Sequence, residues 1–207
     1  PGDGQSIFGT HETVLFGGAI SSDSTVFTDT QVTINSVQFD NSFSYGIAGQ
    51  RRINLIASTA GPLPSISVVS GNHEFQTAVK LLSDATVDVA SGSTLTFTNT
   101  LNLNGQTLTK TGDGNLAVNN KLNLGGGTLV GSQGTISGVG TIGGDVNNEG
   151  GTISPGDNAA LSSGDSISDV PEPSTMLLLV LGGLLGFRAR RRMGHPDVNV
   201  VRTVQSR

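Results

Sequence analysis

Chemistry in this chain has to come from carboxylates, histidines and basic side chains, because it contains no cysteine. That excludes disulfides and thiolate metal sites. The three histidines, His11, His73 and His195, stand far apart. His73 next to Glu74 could serve as an acid–base pair or as metal ligands. The surrounding Gly71-Asn72-His73-Glu74 has the composition of a turn, so a solvent-exposed histidine is expected. Gly112-Asp113-Gly114-Asn115 has the form of one fragment of a calcium-binding nonapeptide. Such sites need repeated units, and this one occurs once, so it reads as a glycine-rich turn. No nucleophile elbow or phosphate-binding loop occurs.

Paired carboxylates remain, and whether any are paired depends on the elements that carry them. Thr86–Gln106 aligns with Thr107–Gly127, and a further unit opens at Thr128. Leu95 then corresponds to Leu116, Leu101 to Leu122, and Leu103 to Leu124. In the next unit Ile136 and Ile142 fall one position short. Upstream, Ser65–Val68 precedes Thr86–Val89 by the same step, as Val32 and Ile34 precede Ile53 and Leu55. About six units run from Asp23 to Gly151. Each unit holds three short runs of alternating apolar and polar residues, separated by Gly, Asn and Ser. Alternation marks strands with one buried face.

Three strands per unit of about 20 residues describe an all-β fold, a right-handed parallel β-helix in which equivalent residues stack in ladders. By this alignment Asp88 faces Ser67 and Thr109, Asp84 faces Leu63 and Gly105, and Asp113 faces Gly92 and Gly134. No carboxylate then stacks on another, so no site for polysaccharide cleavage or metal binding is expected in the repeats. The inward position of Leu103 and Leu124 passes to Gly144. Large apolar side chains contribute ~1.5–3 kcal/mol each when buried and Gly almost nothing, so the rungs after Leu129 are expected to be the least stable.

Composition agrees with a solenoid: 30 Gly, 4% aromatic and 13% charged residues favour short strands and tight turns over a thick core. The net charge of −5 is uneven. Residues 1–174 carry fifteen acids against Arg51, Arg52, Lys80, Lys110 and Lys121, whereas residues 175–207 carry six arginines and one acid. An acidic body without a basic stripe disfavours nucleic acid as a partner.

Leu108-Thr-Lys-Thr-Gly-Asp-Gly-Asn-Leu116, followed by Gly127-Thr-Leu129, resembles the passenger-associated repeat of autotransporter-type surface proteins. There a strand pair of the form LTKxGxGxLxL precedes a GGTL strand. The departure is Asn119-Asn120-Lys121 in place of the usual Asn-Tyr-Thr-Gly stretch. The resemblance covers about residues 85–155 and implies an extracellular β-helical stalk rather than an activity.

After a Ser-, Gly- and Asp-rich stretch come Val170-Pro171-Glu172-Pro173-Ser174, the apolar run Met176–Phe187, and Arg188, Arg190, Arg191 and Arg192. The run has no polar face, unlike an amphipathic core helix. As a helix it would span ~20 Å against ~30 Å of hydrocarbon, and arginines at its end can snorkel to lengthen that span. Positive charge at one end orients the arginines to the cytoplasm and the solenoid outward. Box, apolar run and basic cluster in this order resemble the PEP-CTERM sorting signal of Gram-negative bacteria. The resemblance implies recognition by an exosortase, a membrane-embedded cysteine transpeptidase, with Pro171, Glu172, Pro173 and Ser174 as substrate motif. Such signals usually end soon after the arginines, whereas here Met193–Arg207 follows them.

The expected organisation is an irregular N-terminal remnant (1–22), β-helix repeats (23–156), a flexible spacer (157–169), a sorting signal with one short apolar helix (170–192) and an atypical tail (193–207). The chain opens at Pro1 without a charged and apolar leader, so any signal peptide is expected upstream. The expected function is that of an exported, non-enzymatic surface or matrix protein with an adhesive or structural role and no cofactor. Expected partners are the membrane, through 175–187, an exosortase-type enzyme, and an extracellular polysaccharide as a candidate. Expected localisation is the inner membrane before processing, then the envelope, surface or matrix. Two alternatives are a fragment of a β-helical carbohydrate-active enzyme whose catalytic rungs lie upstream, and a plain membrane-anchored stalk or adhesin.

Overall fold

The computed structural model describes residues 12–58, 61–156, 160–161 and 167–169. These residues form a parallel β-solenoid of about seven turns with three strands to a turn. The first turn is β1 (Thr13–Phe16), β2 (Ser24–Thr28) and β3 (Val32–Ile34). The second is β4 (Ser36–Asp40), β5 (Tyr45–Gly49) and β6 (Ile53–Leu55), and the third β7 (Ser65–Ser70), β8 (Asn72–Phe75) and β9 (Val79–Leu81). The fourth is β10 (Ala85–Val89), β11 (Thr94–Phe97) and β12 (Leu101–Asn102). The fifth is β13 (Thr107–Thr111), β14 (Asn115–Val118) and β15 (Lys121–Asn123). The sixth is β16 (Thr128–Gly131), β17 (Thr135–Gly138) and β18 (Thr141–Gly143). The seventh is β19 (Val146–Asn148), β20 (Thr152–Pro155) and β21 (Ala160–Leu161), and β22 (Ile167–Asp169) opens an eighth.

Each strand pairs with the third one on, always in parallel, which makes one eight-stranded and two seven-stranded sheets. We call them A (from β1), B (from β2) and C (from β3). Every second side chain of a strand points inward, so the core is a stack of ladders. In sheet B, Leu95, Leu116, Ile136 and Ile153 stand in register. In sheet C, Leu101, Leu122 and Ile142 do so. The larger aromatics gather upstream. Phe16 stacks on Phe39 at 5.0 Å, and Phe75 on Phe97 at 5.1 Å, with Phe39 edge-on to Phe75 at 5.8 Å. Phe97 is followed by Val118 in the next turn.

The ladders expected from the repeat are present, including the one-position slip of Ile136 against Leu116. One register differs. Asp88 faces Ser67 as expected, but on its other side it faces Thr111, not Thr109. Extra chain enters before β13 and is returned at the corner after it. The corner between Val89 and Thr94 spans Ala90 to Ser93, whereas its counterpart between Gly112 and Asn115 holds only Asp113 and Gly114. That tight corner needs Gly112 at φ +72°, with no room for a Cβ against the Val89 carbonyl.

The solenoid also reaches past the expected 23–156 at both ends. β1 lies in the segment expected to be irregular, and Val14 and Phe16 pack against the core from it. The sequence reads Ser154-Pro155-Gly156-Asp157 as a turn that ends the solenoid. Instead Ser154 and Pro155 belong to β20, and β21 and β22 fall within the expected spacer. Pro155 is tolerated because β20 is the last described strand of its sheet, where a missing N–H costs no ladder bond.

The weak upstream period has a structural cause. The step from Ser36 on β4 to Ser65 on β7 is longer than the later ones, because a loop after β6 carries extra chain. Buried Asn35 anchors that loop by donating from Nδ2 to the carbonyls of Ile56 at 3.1 Å and Pro62 at 3.4 Å. Downstream the turns shrink. The steps from Leu129 to Val146 and from Thr135 to Thr152 are both shorter than that from Leu108 to Leu129. Gly144 takes the corner place of Leu124, where a Cβ would approach the Leu124 Cβ to 2.8 Å. The core therefore narrows toward the C-terminal end. No helix occurs among the described residues. The apolar helix expected over 176–187 lies outside them.

Candidate functional site

The outer faces of the sheets carry the carboxylates, and several of the described ones are tied into the scaffold. Asp88 Oδ1 accepts from Thr111 Oγ1 at 2.9 Å. Asp84 Oδ1 accepts from the Thr107 N–H at 2.8 Å and so fastens the corner before β13. Glu74 accepts from Thr98 Oγ1 at 2.7 Å and from Gln76 Nε2 at 3.3 Å. Asp40 accepts from Ser70 Oγ at 3.1 Å, and Asp23 from the Ser44 N–H at 2.7 Å. In the sheet registers no Asp or Glu faces another among the described residues. Nor do these residues contain a group of three His, Asp or Glu that could hold a metal ion. An opening of about 420 Å³ at the first turn is lined mainly by inward apolar side chains, among them Val14, Phe16, Val32, Ile34 and Val37, with Asp29 as its one carboxylate. Its lining offers a place for apolar groups and no acid–base pair.

Besides Tyr45, a histidine and a lysine of the described residues lie inside the solenoid instead of on it. The turn-like sequence around His73 places it on the surface; it is on β8, 1% exposed. It faces inward on the ladder that continues through Leu95, and its ring stacks on Phe39 at 4.6 Å. Nδ1 accepts from the Tyr45 N–H at 3.1 Å, and Nε2 lies 2.8 Å from the Ser70 carbonyl. A backbone N–H can only donate and a carbonyl can only accept, so the ring is neutral with its proton on Nε2. Burial holds its pKa below the usual histidine value, although the Ser70 and Asn41 backbone groups pull the other way. The same corner is held by Tyr45 Oη, which donates to the Gly17 carbonyl at 2.7 Å, and by Asn41 Nδ2, which donates to the Gly17 and Ile20 carbonyls.

Lys110 is fully buried on β13, at the inward position between Val87 and Gly131. Its Nζ donates to the carbonyls of Thr111 at 2.6 Å and Gly112 at 2.7 Å, and to that of Gln133 at 3.4 Å. Burial lowers its pKa, while Asp88 and Asp113 act to raise it. Three carbonyls around one ammonium close the tight Gly112 corner and tie it to the next turn. The signal for both residues is present in the sequence: His73 has the parity of Phe75, and Lys110 that of Leu108. A turn-like neighbourhood masks the first, and positive charge the second.

Neither buried group reaches solvent in a cleft, so the residues that act on a partner are sought at the C-terminal end. Pro171, Glu172, Pro173 and Ser174, the apolar run, and Arg188, Arg190, Arg191 and Arg192 lie outside the described residues. Residues 169–192 match the family model of the PEP-CTERM protein-sorting motif. The match begins at Asp169, the last residue of β22. No curated protein and no solved structure matched the chain. The motif implies export, a C-terminal membrane anchor before processing, and processing by an exosortase.

Proposed function

We propose that this chain is a non-enzymatic structural or adhesive protein of the bacterial surface or extracellular matrix. Its β-solenoid is the cargo and its C-terminal signal the address. The observation that carries this reading is the order of elements within 169–192: a Pro-Glu-Pro box, an uninterrupted apolar run and four arginines, directly after the last described strand in the sequence. Pro171, Glu172 and Pro173 act as the motif presented to the processing enzyme. The run over 175–187 holds the chain in the inner membrane until cleavage, and Arg188, Arg190, Arg191 and Arg192 stop its transfer. The cleaved solenoid then stays in the envelope or passes to the matrix. The Leu108–Leu116 and Gly127–Leu129 segments support kinship with passenger-associated repeats, in which such a solenoid serves as a stalk. An extracellular polysaccharide is the partner that an outer surface rich in hydroxyls and amides suits.

Replacing Pro171, Glu172 and Pro173 by alanine in a cell that holds an exosortase tests the address. The expected outcome is accumulation of uncleaved chain in the inner membrane; release equal to that of the parent chain would overturn it. The cargo is tested by incubating the purified chain with a panel of polysaccharides. New reducing ends or unsaturated sugars would contradict the non-enzymatic reading.

A further inference from the structure

The polar corner around His73 is the only described part of the interior where one titratable ring holds together residues of three successive turns. His73 on the third turn accepts from the Tyr45 N–H and stacks on Phe39, both on the second. Phe39 in turn stacks on Phe16 of the first turn at 5.0 Å, and Tyr45 Oη holds the Gly17 carbonyl that follows it. Gly71, at φ +86°, brings the chain so close that a Cβ there would meet the Asn41 carbonyl and lie 3.1 Å from His73 Nε2. Any side chain at position 71 would therefore press on both the Asn41 carbonyl and the ring.

We propose that His73 is an acid-sensitive latch: its protonation at Nδ1 opens turns one to three of the solenoid while the later turns stay folded. A proton taken from solvent onto Nδ1 converts an acceptor into a donor, which then points at the Tyr45 N–H. Both groups are buried, and no acceptor stands between them, so the ring must leave its place for the charged form to be hydrated. The Ser70 and Asn41 backbone groups favour the charged ring but do not outweigh its burial, and no free carboxylate on the packed strands joins them. On the elements packed against His73, β1, β7 and β11 carry no titratable residue. Asp40 on β4 is engaged with Ser70 Oγ, Tyr45 on β5 with the Gly17 carbonyl, and Glu74 on the outer face of β8 with Thr98 Oγ1. Turns of a solenoid contact only their neighbours, so the end can open separately.

The direction of the pH effect follows from linkage. The folded chain holds His73 neutral below the ordinary 6.5, so the opened state binds the proton first as pH falls. Stability of these turns is complete above 6.5 and declines as pH drops from there toward the lowered value. The sorting motif implies export, so ambient pH acts on this corner directly.

Native-state hydrogen exchange on the full chain in detergent tests the latch, with His11 and His195 replaced by Gln so that His73 is the sole histidine. After correction for intrinsic rates, protection at the Phe39, Tyr45 and Phe75 amides should fall by up to about tenfold per pH unit below pH ~6.5. Protection at Leu116 and Leu122 should stay level. His73→Leu, which continues the ladder of Leu95, should remove the pH dependence. Should that variant fail to fold, His73→Asn supplies an acceptor for the Tyr45 N–H without titrating, and the same loss of pH dependence is expected. Equal decline in all turns, or a decline that survives in either variant, would overturn the proposal.

Discussion

Lys110 shows what a single side chain does in a molecule with so thin a core. An ammonium at an inward position loses its water, and burial lowers its pKa. The carbonyls of Thr111, Gly112 and Gln133 replace that water. Lys110→Met keeps the length of the stem and leaves these carbonyls without their donor. The expected cost is about 1–3 kcal/mol in chemical denaturation, and unchanged stability would show the cage to be idle. Gly112→Ala strikes the same corner from the backbone side, since φ is +72° and a Cβ would press on the Val89 carbonyl. A loss of at least ~1 kcal/mol is expected from the backbone conformation alone. Both residues show a limit of reading by residue type. Lys110 shares the inward parity of Leu108, but its charge argues for the surface until the carbonyls that surround it are known.

At the scale of the element, the unit of stability is the ladder, and the ladders weaken along the chain. Leu95 and Leu116 are completely buried and Ile136 is 4% exposed, while Ile142 and Ile153 only pack partly against the core. Leu95→Ala should cost about 2–5 kcal/mol, because a cavity opens between two filled turns. Ile142→Ala should cost less, in the same denaturation assay. Hydrogen exchange should find higher protection around Leu95 than after Leu129; equal protection would contradict the taper. Refilling the taper is not simple, because Gly144 sits at φ +142° against the Leu124 side chain. Much of this is legible in the sequence, since ladders such as Leu101 on Leu122 require equal spacing. Corners are less legible. The partner of Asp88 is Thr111 and not Thr109 because a gain before β13 and a loss at Gly112 cancel within one turn, and a fixed period cannot detect a cancelled shift. β1 escapes notice because its step to β4, from Thr13 to Ser36, is longer than the repeat's step from Leu95 to Leu116.

For the whole molecule, stability and address are separate properties of separate segments. The solenoid is held by stacked apolar ladders and by carboxylates committed to hydroxyls and backbone amides. The address is local: the sorting-motif match is confined to 169–192. It is legible in the sequence because three physical elements stand in a fixed order. Met193–Arg207 extends beyond the match, and cleavage at the box would remove that segment with the apolar run. The most direct test of this account is mass spectrometry of the mature protein from a cell that contains an exosortase. It predicts a C-terminus near the Pro171-Glu172-Pro173 box; a mature chain that still ends at Arg207 would contradict it.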